Sequence, residues 1–76
     1  MIHELKILPQ YFKEVVNGNK NFEVRKNDRG FKKGDLLVLQ EFDGEKYTGL
    51  ETRKEITYLL DNSNYLQDGY VVLGMK

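Results

Sequence analysis

Apolar residues recur at helical spacing in only one stretch of this 76-residue chain, Tyr11-Phe12 followed by Val15-Val16, and almost everything else alternates or breaks at glycine. That stripe is bounded at both ends. Pro9 suits the first position of a helix, because its φ is already fixed and its missing N–H would go unpaired there. Gly18 supplies a left-handed stop. The spacing predicts a helix over about Pro9–Asn17. Such a helix is about 13 Å long at 1.5 Å per residue, too short to persist alone in water. It must pack across a sheet.

The sheet is written in alternation. Ile2 to Leu8 puts His3, Leu5 and Ile7 on one face and Glu4 and Lys6 on the other. Phe22 and Val24 share a face, as do Glu23 and Arg25, and the pattern sends Phe22 into the core with Phe12 and Tyr58. A loop at Asn27–Gly30 and a turn at Lys33-Gly34-Asp35 feed a strand over Leu36–Phe42. Asp43-Gly44 predicts a hairpin closed by a tight type I′ turn. Thr48-Gly49 should interrupt the returning strand as a bulge, and Glu51–Leu60 resumes it. Asp61-Asn62-Ser63-Asn64 breaks the pattern, Tyr65-Leu66 suits a helical turn, and Tyr70–Met75 closes with a buried strand. The expected fold is mainly β (α+β): one domain over residues 1–76, with five to six short strands and a single short helix after the first. Strands this short hide both faces and edges best by curling into a small barrel.

Several chemistries are excluded at once. The chain has no cysteine and one histidine, so thiolate nucleophiles, disulfides and cysteine- or multi-histidine metal centres are out. Its longest aliphatic run, Leu36–Leu39, is four residues against the roughly 20 of a membrane helix. Glu4 and Gln10 stand where a signal peptide would be apolar, so a cytoplasmic domain without a membrane or cofactor requirement is expected. The net charge of zero conceals a bias: Lys13–Lys33 holds seven bases and three acids, and the rest holds five bases and nine acids. If that bias survives folding, one end of the domain attracts anions, of which nucleic acid is the commonest large one. The competing reading is a solvated lysine-rich surface.

The residues that best carry chemistry are Gly18-x-Lys20-x-x-Glu23-x-Arg25. Lysine is a mobile point charge, and arginine a flat fork for phosphate or a base edge. Glutamate accepts from an exocyclic amine or holds the two cations in place. Without a pocket, the same residues are a surface ion-pair cluster worth at most about 1 kcal/mol. This stretch resembles the G-x-K-x-x-E-x-R signature of ASCH domains in the PUA-like superfamily. Further likeness lies in His3-Glu4-Leu5-Lys6, Arg25-Lys26-Asn27-Asp28-Arg29, Phe31-x-x-Gly34-Asp35 and Gly69–Gly74. These features are similar to a small bacterial and phage subgroup labelled only as a domain of unknown function.

The resemblance implies a PUA-like β-barrel with a cleft beside the first helix, binding RNA or a modified nucleotide. Lys20, Arg25, Lys26 and Arg29 would grip the ligand and Glu23 would orient it. His3 is either a hydrogen-bonded core histidine or a further cleft residue. Tyr11, Phe31, Tyr47 and Tyr65 are candidate stacking platforms. Asp28 either caps its loop or reads a base. Some ASCH relatives are metal-free amidohydrolases acting on N4-acetylcytidine. They are similar in the lysine, here Lys20, but carry a threonine nucleophile where this chain has Glu23. Their late glutamate has no clear counterpart, since no local motif selects Glu51 or Glu55. An amidohydrolase using Lys20 and Glu23 on an N4-acylated cytidine-type nucleoside therefore ranks second to a binding module. A basic strip docking an acidic protein ranks third.

Overall fold

The opening alternation forms strand β1 (Ile2–Ile7), which buries His3, Leu5 and Ile7 and exposes the residues between them. Helix α1 (Pro9–Val16) follows, with Phe12 and Val15 turned into the core. Its end is set by Gly18, whose φ of +81° is open to glycine at little cost. The amides of Gly18 and Asn19 bond back to the carbonyls of Val15 and Glu14, at 3.1 and 2.9 Å, and the Lys20 amide joins the Glu14 carbonyl at 3.0 Å. This double closure is a Schellman motif. It fixes where Lys20 leaves the helix. A Cβ at Gly18 would meet no atom within 4 Å. Gly18→Ala should therefore cost only the left-handed conformation, about 1 kcal/mol, read as a melting temperature lowered by roughly 4–8 °C.

The structure is a computed structural model describing residues 1–61 and 64–76; the middle of the predicted break at Asn62-Ser63 lies outside the described residues. Strands β2 (Phe22–Lys26), β3 (Leu36–Phe42), β4 (Tyr47–Leu60) and β5 (Tyr70–Met75) complete a five-stranded mixed sheet ordered β1-β3-β4-β5-β2. β1 and β3 are parallel and the other pairs antiparallel. The predicted interruption at Thr48-Gly49 is a bulge inside one continuous strand: pairing jumps from Gln40↔Glu51 to Phe42↔Tyr47, and Gly49 has φ +96°. A second irregularity between Ile56 and Tyr58 comes where β4 leaves β3 and takes up β5. These two bends curl the sheet around Leu37, Leu39, Ile56, Val71 and Leu73, which are fully buried. No helix among the described residues is long and apolar enough to cross a membrane.

Three expectations need correction. The barrel is not closed: β1 and β2 are the sheet's two edges and form no ladder with each other. A side chain spans the gap instead, with the Arg25 guanidinium donating to the Lys6 carbonyl at 2.6 Å. The hairpin at Asp43-Gly44 forms, but not through a type I′ turn. That turn needs two consecutive residues at positive φ, and here only Gly44 qualifies. Asp43 instead closes a four-residue loop by accepting from the amides of Glu45 and Lys46, both at 2.9 Å.

The third correction concerns which face of β2 turns inward. Phe22 and Val24 are exposed, Tyr58 is 65% exposed, and Glu23 is buried. Strand β5 decides this. Val71, Leu73 and Met75 face the core, and Arg25 and Glu23 lie opposite Val71 and Leu73. Directly opposed residues of an antiparallel pair point to the same side. Turning Phe22 and Val24 inward would also bring in their partners Gly74 and Val72, losing two large core side chains. The Leu73 face wins, and Glu23 goes in with it. Phe31, a candidate stacking platform, is also core.

Candidate functional site

The inward turn of β2 puts a carboxylate and two cations at the open seam. Glu23, only 4% exposed, accepts from the Lys20 ammonium through Oε1. Its Oε2 accepts from the Arg25 Nε at 2.9 Å. Both oxygens are thus committed, which is how a buried carboxylate avoids the cost of desolvation. Lys20 Nζ also donates to the Phe22 carbonyl at 2.8 Å, leaving one of its three N–H directions for a ligand. Arg25 keeps further N–H groups after its bonds to Glu23 and Lys6. The trio carries a net charge of +1, held on side chains that are only 18% and 25% exposed for Lys20 and Arg25.

These groups line an open cleft of about 420 Å3 between the end of β1, the helix and β2. Its walls include Leu8, Tyr11 and Phe22. The rings of Tyr11 and Phe22 are about half exposed, with centroids 5.7 and 4.9 Å from the Lys20 ammonium. A volume of this size, apolar walls and a few convergent polar groups are what a small-molecule site requires. Lys6 contributes its carbonyl to the seam, while its ammonium lies 4.4 Å from the Phe42 ring centroid. The sequence marks Lys6 only as an outward strand residue within the His3–Lys6 likeness and not as a site residue, because the group used is a backbone atom.

The remaining candidates fall elsewhere. Lys26, Asp28 and Arg29 border a smaller cavity of about 170 Å3 that shares Arg25 with the cleft. Tyr47 packs edge-on against Phe42, with centroids 5.2 Å apart, and does not line the main cleft. Tyr65 is almost fully exposed. His3 is buried away from the cleft residues, with Nε2–H donating to Asp35 Oδ2 at 2.8 Å and its ring 4.7 Å from that of Phe31. The other Asp35 oxygen accepts from the Met1 ammonium at 3.2 Å, and Oδ2 also accepts from the Lys32 amide at 3.1 Å. Among the described residues, no group of three or more metal-ligating side chains converges.

The His3 bond, aided by the terminal ammonium and the Lys32 amide and opposed by desolvation, brings the Asp35 pKa from 3.8 down to about 2. Because the folded value is the lower one, this contribution to stability is complete above about pH 4 and is lost as pH falls towards 2. Melting curves of wild type and Asp35→Asn should accordingly converge over that interval. A constant gap between them would rule the linkage out.

Comparison with known proteins places this sequence in a family. The profile described as "Domain of unknown function (DUF3850)" matches residues 2–75. The chain belongs to the DUF3850 family. The match takes in every strand and the helix, so the cleft is built wholly from DUF3850 residues. A phage relative, the "Uncharacterized 12.9 kDa protein in GpA 3'region" of Escherichia phage P2, is 42% identical over 72 residues. That alignment takes in 95% of this chain and 65% of the relative, so the chain spans just under two thirds of the relative's length.

Proposed function

We propose that the cleft binds a nucleotide unit, as RNA or as a modified nucleotide. The observation that carries this reading is the placement of Lys20 and Arg25, locked by Glu23, between half-exposed Tyr11 and Phe22 rings in one concave space. A flat aromatic base suits the rings, since such stacking is worth roughly 1–3 kcal/mol per base. A phosphate suits the unused N–H groups of the ammonium and guanidinium. The motif's likeness to ASCH domains points the same way, and the seam at β1 and β2 is where a PUA-like barrel would close. A nucleic-acid ligand also suits a cytoplasmic setting.

Binding is preferred to hydrolysis because of Glu23. A general base must have an oxygen within reach of the proton that it removes. Both Glu23 oxygens already accept from cations and the side chain is only 5% exposed, so a water has little access to the lone pairs that remain. The testing experiment is calorimetric titration of wild type and Lys20→Ala with the four nucleoside 5′-monophosphates at low salt. Saturable binding that Lys20→Ala weakens is expected. Absence of binding to all four would overturn the reading, and turnover of N4-acetylcytidine lost in Lys20→Ala would favour the amidohydrolase.

A further inference from the structure

Arg25 borders two cavities. One is the cleft; the other is the 170 Å3 cavity bordered by Lys26, Asp28, Arg29 and Phe31. Counting Arg25, that second cavity carries three bases against one acid, a surplus of two positive charges. Its rim is also held in place. The Asn27 amide bonds the Gly69 carbonyl at 2.8 Å, and the Asn27 side chain accepts from the Phe31 amide at 3.3 Å. Gly30 takes the positive φ that turns the loop, and the buried Phe31 ring anchors its far end. Arg29 is thus presented from a loop fastened on both sides, which lowers the ordering cost of an anion contact.

Resting on the nucleotide-cleft reading, we infer that the site takes a nucleic-acid strand rather than a free nucleotide. The nucleotide in the cleft continues past Arg25, and its next phosphodiester sits in the second cavity against Lys26 and Arg29. Arg25 lines both spaces, so a strand held against it is offered both. Arg25 then faces phosphate from either side, which suits a planar fork better than a point charge. Free nucleoside diphosphates bring the extra charge but no second residue, and engage the second cavity poorly.

Titration calorimetry at low salt with nucleoside 5′-monophosphates, the matching 5′-phosphorylated dinucleotides and nucleoside 5′-diphosphates tests this. The dinucleotides should bind about tenfold more tightly than the monophosphates, and the diphosphates less than about threefold more tightly. In Lys26→Gln/Arg29→Ala the dinucleotide-to-monophosphate ratio should fall to about one. In Lys20→Ala both ligands should weaken and the ratio should survive. Monophosphate binding with a wild-type ratio of one would overturn the strand inference alone. So would diphosphates gaining as much as dinucleotides, or a ratio unchanged in the double variant. Failure of every ligand to bind wild type would overturn the inference together with the nucleotide reading beneath it.

Discussion

Glu23→Ala lowers stability by roughly 2–3 kcal/mol, a fall in melting temperature of about 10–20 °C in a domain this small. The substitution strips Lys20 and Arg25 of a carboxylate that is 4% exposed and leaves two cations facing each other at a seam. Removing one member of a fully buried pair costs about 3–5 kcal/mol; the value here is lower because both cations can turn towards water. The converse experiment is more informative. Replacing a whole buried ionic cluster by apolar side chains of similar size is often neutral or stabilising. Lys20→Met/Glu23→Leu/Arg25→Met should therefore fold at or above wild-type stability while losing nucleotide binding. If the triple variant unfolds instead, the cluster is there to hold the fold, and the functional reading loses its main support.

The second large effect is on affinity. Lys20→Ala and Arg25→Ala should each weaken single-stranded RNA binding about tenfold, the loss expected from one charge-assisted phosphate contact. With Lys20, Arg25, Lys26 and Arg29 engaged, log affinity against log salt should have a slope of about −2 to −3. Each single removal should reduce that slope by about 0.7. A complex whose affinity ignores salt would place the contacts on the bases or the apolar walls.

Much of this arrangement is legible in the residue order. Pro9 and Gly18 bracket the helix closely, the observed span being Pro9–Val16 with Asn17 as its cap. Glycine at Gly49 marks the bulge, and the spacing of Lys20, Glu23 and Arg25 marks the cluster at the cleft. What alternation cannot choose is which face of β2 looks inward. Phe22 and Val24 are the more apolar pair, yet the choice is made by Val71, Leu73 and Met75 on a strand nearly 50 residues away. The same non-local choice leaves Tyr58 exposed, since it lies opposite Gly74 on the outer face. The His3–Asp35 pair is likewise invisible to local pattern, although a buried imidazole demands some partner. The open seam was not legible either, because the bond that spans it ends on a backbone carbonyl.

The most direct test of the central claim is amide chemical-shift mapping of the 15N-labelled domain titrated with single-stranded RNA. Saturable shifts centred on Tyr11, Lys20 and Phe22–Arg25, lost in Lys20→Ala, are expected. Shifts centred instead on the β3–β4 hairpin around Gln40, Tyr47 and Leu50, or unaffected by Lys20→Ala, would contradict that reading.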